Sequence, residues 1–84
     1  MSASDELVKV APHEINGGLA HGLWDALKWQ YDSSSIRLKE IRALLDAEND
    51  PKEHFKLCCE EQFHLGVISV VKSVNESLIK IRNQ

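Results

Sequence analysis

The residues best suited to chemistry are a carboxylate and an imidazole in the segment Glu61-Gln62-Phe63-His64. A Glu-x-x-His spacing places both groups on one face of an α-helix, where with further acids they can ligate iron or zinc. On an antiparallel partner helix, Glu40 would lean toward them, so Glu40, Glu61 and His64 form a metal-site hypothesis. The competing interpretation makes His64 a packing residue that pairs with Glu60, four residues earlier.

The remaining reactive side chains do not form a catalytic pattern. His13, His21 and His54 have neither metal-ligand spacing nor a neighbouring nucleophile. The sequence contains no phosphate-binding glycine loop, nucleophile elbow or Cys-x-x-Cys pair. We therefore expect no enzymatic activity and no cofactor.

The two cysteines, Cys58 and Cys59, are adjacent, so they cannot form the spaced disulfide framework of a small secreted domain. The first six residues carry acids where a signal peptide needs positive charge and an apolar stretch. Residues 63–71, the most apolar window, are far shorter than the roughly 20 residues of a membrane helix. We expect a cytoplasmic protein, or one exported without a cleaved signal peptide, that does not enter a membrane.

Composition predicts one small globular domain. The chain has 84 residues, 43% of them hydrophobic, and a formal net charge of −3, which disfavours binding to nucleic acid or acidic lipid. A domain of this size has a limited core of its own, so self-association is expected.

Apolar residues at alternating four- and three-residue spacing predict a first amphipathic helix over about residues 17–48, with Asn16 as its N-cap. A turn at residues 49–51 separates it from a second helix over about 51–82, capped by Asp50 with Pro51 in its first turn. A link this short makes the helices antiparallel, so the sequence predicts an all-α helical hairpin over residues 16–84. Its first helix would contribute Trp24, Leu27, Tyr31, Leu38, Ile41 and Leu45 to the helix contact.

Three parts of this interpretation have alternatives. The serines 33–35 weaken helix propensity, so one alternative is a first helix that bends at these residues. The β-branched run at residues 65–71 is also compatible with a strand. Residues 1–15, called the N-terminal arm below, lack a sustained period, and we expect a loosely ordered segment outside the core.

The second helix carries an apolar face about 180° wide, which is too wide for one neighbouring helix to cover. We expect this face to contact a partner helix or an identical subunit; the alternative is that the N-terminal arm folds back over it. Trp29, which lies off the predicted helix contact, is a further candidate anchor. The predicted interaction residues are Trp29, Val67, Val70, Val71, Val74, Leu78 and Ile81.

Two segments resemble a known family. The turn Asp50-Pro51-Lys52-Glu53 and the amphipathic stretch from Val71 to Ile79 are similar to the helical-hairpin needle and inner-rod proteins of bacterial type III secretion. The sequence departs from that family at Cys58-Cys59-Glu60-Glu61, where the family has a tyrosine-rich middle. The resemblance implies a non-enzymatic subunit that polymerises or is held by a chaperone. A cytoplasmic chaperone of such a system would have similar sequence features.

The sequence therefore predicts an interaction protein that assembles through the apolar face of its C-terminal helix, with a protein partner or a second copy. The alternative is a metal-binding half-bundle, similar to di-iron proteins, that dimerises through the Glu-x-x-His site.

Overall fold

The computed structural model describes residues 3–10 and 23–84, which form one short 3-10 helix and two long α-helices. The 3-10 helix spans Ala3–Glu6, helix α1 spans Leu23–Ala47, and helix α2 spans Pro51–Arg82. The predicted all-α hairpin is confirmed, and the described residues contain no strand. The strand alternative for residues 65–71 is wrong, since this run lies inside α2. The expected start of the first helix near residue 17 and the cap at Asn16 lie outside the described residues.

The start of α2 follows from its capping residues. The Asp50 carboxylate accepts the backbone N–H of Lys52 at 3.0 Å, and Pro51 occupies the first turn, where a missing N–H costs nothing. At the other end, the backbone N–H of Asn83 donates to the carbonyl of Ile79 at 3.0 Å. Local chemistry thus sets both ends, and they agree with the predicted range 51–82.

Helix α1 packs on α2 through a narrow stripe. Trp24 and Leu45, at the two ends of the predicted contact, are only partly buried. The helix continues through the three serines, and Ser34 is buried at a position of the stripe where a larger side chain is expected. The buried residues of α1 are Leu27, Tyr31, Ser34, Leu38 and Ile41. Their four- and three-residue spacing is that of antiparallel helix packing.

Residues 3–10 of the N-terminal arm pack against both helices, which corrects the expectation that this segment lies outside the core. Leu7 and Val10 are buried in the same cluster as Leu27 and Val71. The sequence pattern missed this because two apolar residues in a short segment form no period. The expectation for residues 1, 2 and 11–15 lies outside the described residues.

Polar contacts fix this segment at both helices. On α1, the Ser4 backbone N–H and hydroxyl donate to the Asp32 carboxylate at 2.8 and 3.0 Å, and the Tyr31 hydroxyl donates to Glu6 at 2.6 Å. On α2, the side-chain amide of Asn75 forms two hydrogen bonds with the backbone of Val8, described below. Residues 3–10 therefore act as a third packing element beside the hairpin.

Candidate functional site

A hydroxyl, an imidazole and a carboxylate lie in series between the helices. The Ser34 Oγ is 3.0 Å from His64 Nδ1, and His64 Nε2 is 3.6 Å from Glu60 Oε1. Such a series can activate a serine nucleophile. Here, however, Ser34 is only 3% exposed beneath the packed helices, so its hydroxyl is not presented to a substrate. The three groups instead join α1 to α2, in agreement with the interpretation of His64 as a packing residue beside Glu60.

The carboxylate of Glu60 is held mainly by Arg37 of α1. Arg37 Nε and Nη2 donate to the two Glu60 oxygens at 2.6 and 3.0 Å, a bidentate geometry. These hydrogen bonds lower the pKa of Glu60 and raise the pKa of Arg37. Glu60 therefore remains a carboxylate bound to a guanidinium, rather than a free base for His64.

The proposed metal ligands are not brought together. Glu40 binds Arg37 at 3.0 Å, and Glu61 lies 3.6 Å from Arg42, so each carboxylate faces a guanidinium. His64 uses its ring nitrogens toward Ser34 and Glu60. Within residues 3–10 and 23–84, no group of three His, Cys, Asp or Glu side chains is arranged to hold a metal ion.

The adjacent cysteines face different surroundings. Cys58 is partly buried and its Sγ lies 3.6 Å from His54 Nδ1, whereas Cys59 is exposed. Both thiols are free. As neighbours in the helix they point about 100° apart around its axis.

The apolar face of α2 is divided by the N-terminal arm. Residues 3–10 cover the side of α2 that carries Asn75, and Val71 and Leu78 are buried there as part of the core. Val67 and Val74 are partly buried, while Val70 is 62% exposed and Ile81 is 49% exposed. Two of the predicted interaction residues on α2 therefore belong to the monomer's core, and the exposed members lie on the other side.

That other side carries an open groove between α1 and α2, with a volume of about 640 Å³. Val70, which lines it, and Asn75, which binds the arm, are five residues apart and so lie about 140° apart around α2. The groove and the arm thus occupy opposite flanks of the hairpin. The groove is lined by Leu27, Gln30, Gln62, Phe63, Gly66, Val67, Val70 and Val71. None of these residues is charged.

Phe63 is the large apolar groove residue that the sequence interpretation missed, together with Gln30, Gln62 and Gly66. Its side chain is 65% exposed, and its ring contacts the His64 ring edge to face at 5.2 Å. The signal was present in the sequence, because Phe63 precedes Val67 by four residues and Val70 by seven. Trp29 is 66% exposed but does not line the groove; it lies on the outer surface of α1, seven residues before the exposed Ile36.

Comparisons with protein families, with curated proteins and with solved structures find no match for this chain. Neither α1 nor α2 combines the length and the apolar character needed to cross a membrane.

Proposed function

We propose that this is a non-enzymatic interaction protein whose open groove binds an amphipathic α-helix with an uncharged contact face. The observation that carries the proposal is the asymmetry of the hairpin. Residues 3–10 cover one flank, whereas the opposite flank exposes an uncharged groove beside Phe63 and Val70. A third helix in this groove would complete the packing that two helices and the arm leave unfinished.

The exposed apolar surface gives the free energy for such binding. Complete burial of a phenylalanine or valine side chain contributes about 1.5–3 kcal/mol, so the exposed parts of Phe63 and Val70 offer about 1–2 kcal/mol each. The groove has no charged lining residue that would lose hydration when a helix enters it. Apolar burial therefore drives the contact, and charge does not select the partner.

The similarity to secretion needle and inner-rod proteins gives this proposal one specific form. A subunit of such an assembly, or its chaperone, would use the exposed side of α2 and the groove that Val71 lines, rather than Leu78, which is buried in the core with the arm. A cytoplasmic location, expected from the adjacent cysteines, belongs to the same proposal. Both thiols are free, as a reducing compartment requires.

The test uses a synthetic helical peptide of leucine and alanine on one face and charged residues on the other. Titrated into the ¹⁵N-labelled protein, this peptide should shift the backbone amide signals of Gly66 and Val70. The Val70→Asp variant places a charge in the groove and should weaken binding about tenfold or more, the equivalent of at least about 1.4 kcal/mol.

The matched control is Ile36→Asp. Ile36 is 61% exposed, against 62% for Val70, and both are β-branched residues of a long helix. Only Val70 lines the groove, so Ile36→Asp should leave peptide binding unchanged. If the peptide shifts no groove signals, or if both variants weaken binding equally, the groove is not a helix-binding site.

A further inference from the structure

The open groove and the N-terminal arm share the residues that lie between them. Among the described residues that line the groove, only Leu27 and Val71 are buried. Both belong to the same buried cluster as Leu7 and Val10 of the arm. Val67 also lines the groove and packs against this cluster. We call Leu27, Val67 and Val71 the groove floor.

The groove floor forms one layer across the two helices. Ser34 of α1 contacts His64 of α2 at 3.0 Å, which sets the register of the antiparallel pair. Leu27 lies seven residues before Ser34 and Val71 lies seven residues after His64, so Leu27 and Val71 are level with each other. Val71 is turned about 100° from the exposed Val70, toward the arm. The floor therefore has the groove on one side and the arm on the other.

The arm ties the two helices together beside this floor. The Ser4 backbone N–H donates to the Asp32 carboxylate of α1 at 2.8 Å, and the Val8 N–H donates to Asn75 of α2 at 3.1 Å. Asp32 and Asn75 each lie within five residues of a floor residue on their own helix. A docked arm therefore fixes the separation of α1 and α2 where the groove is formed.

This arrangement gives the docked arm an effect on binding in the groove. When the arm is docked, the side chains of the groove floor are already held from one side. When the arm leaves, these side chains regain rotamer freedom and the helices lose a connection, so an entering helix has to order them itself. A ligand that finds its site already ordered binds more tightly than one that must order it.

We propose that residues 3–10 are a positioning element of the helix-binding groove, so that docking of the arm and binding of a helix favour each other through the groove floor. This inference rests on the proposed function, since it concerns the regulation of the same groove. Thermodynamic linkage makes the effect reciprocal: the bound helix must hold the arm on the hairpin by the same factor by which the arm strengthens helix binding. Couplings between sites are commonly about 5- to 150-fold, and we expect about fivefold or more across this single layer.

The first experiment releases the arm and measures helix binding. The double variant Leu7→Asp/Val10→Asp places two carboxylates at buried positions, so the arm should detach while every residue that lines the groove is unchanged. Titration with the synthetic peptide, followed at the Gly66 and Val70 amides, should give a Kd raised about fivefold or more. The matched control is Val8→Asp, because Val8 lies between the two positions and its side chain is 45% exposed. Its Kd should change by less than about twofold.

A second control separates the arm from general stability. Ile41 is fully buried in α1, but it belongs neither to the cluster of the arm nor to the groove. Ile41→Val should lower the free energy of unfolding without releasing the arm, and its Kd for the peptide should equal that of the wild type.

The reciprocal experiment uses the wild type and needs no substitution. The Val8 amide is bonded across to α2, so it exchanges with solvent when the arm leaves. Where the exchange rate reports the opening equilibrium, saturating peptide should slow Val8 exchange by about fivefold or more. An arm that only stabilised the fold would exchange at the same rate with and without peptide. In Val70→Asp, at a peptide concentration that leaves this variant unbound, the exchange rate should not change.

These measurements separate the inference from the proposed function. If the peptide binds the wild type but leaves Val8 exchange unchanged, the linkage is wrong and the groove remains a helix-binding site. The same holds if Leu7→Asp/Val10→Asp loses its arm and binds the peptide as tightly as the wild type, or more tightly. If that variant unfolds, the wild-type exchange experiment decides alone. If the peptide does not bind the wild type, the proposed function fails and the linkage fails with it.

Discussion

The contact between Asn75 and Val8 is predicted to hold the N-terminal arm on the hairpin. Asn75 is buried, its side-chain oxygen accepts the Val8 N–H at 3.1 Å, and its amide donates to the Val8 carbonyl at 2.8 Å. Each hydrogen bond contributes about 0.5–1.5 kcal/mol net, so Asn75→Ala should lower the free energy of unfolding by about 1–3 kcal/mol. A domain of 84 residues has a total free energy of unfolding of about 4–12 kcal/mol, so this loss is a large fraction of its stability.

The variant Asn75→Asp separates the two hydrogen bonds. The carboxylate can still accept the Val8 N–H, but it cannot donate to the Val8 carbonyl and repels that oxygen instead. Asn75→Asp should therefore destabilise the protein as well, although it is close in size to the native residue. Ser73→Ala, an exposed change on the same helix, is the control and should alter the free energy of unfolding by less than about 0.5 kcal/mol.

Urea unfolding and amide hydrogen exchange measure the effect. The Leu7 amide, which donates to the Ser4 carbonyl at 2.9 Å, should lose protection when the arm detaches. Detachment should also expose Val71 and Leu78 and increase the binding of an apolar fluorescent dye. If Asn75→Ala leaves both the urea midpoint and the Leu7 exchange rate unchanged, the arm is held by something other than this contact.

Three further predictions follow from the same structure. Burial raises the pKa of Tyr31 from 10.0 to about 12, together with its hydrogen bond to Glu6, so the fold favours the neutral phenol. The associated stabilisation is complete below pH 10 and is lost as pH rises through 12; urea curves from pH 9 to 12 should show a loss of about 2–3 kcal/mol in the wild type relative to Tyr31→Phe. Gly66→Ala should raise the free energy of unfolding by about 0.5–1 kcal/mol in dilute protein, since the added methyl meets open space; a decrease would mean that the position is packed. Adding zinc or ferrous iron should leave the melting temperature unchanged, and a rise that His64→Ala abolishes would restore the metal-site hypothesis.

Much of the hairpin was predictable because its signals are local. The spacing of Leu27, Tyr31, Leu38 and Ile41 defined the buried side of α1, and Asp50-Pro51 defined where α2 begins. These features act within one or two helical turns, so a single sequence contains them in full. The candidate site was less predictable: Val67, Val70 and Val71 were found, but Phe63 was missed and Leu78 belongs to the core.

The amino-acid sequence by itself determined that this chain forms two antiparallel helices and that the second carries more apolar surface than the first can cover. Only the tertiary structure decided how that surface is divided. Leu7 and Val10 cover one flank. They are held there by a hydrogen bond from the Val8 N–H to Asn75, 67 positions away, and by one from the Tyr31 hydroxyl to Glu6. Such contacts depend on the three-dimensional meeting of distant segments and leave no period in the sequence. They cover that flank of α2 and leave Phe63 and Val70 exposed on the other.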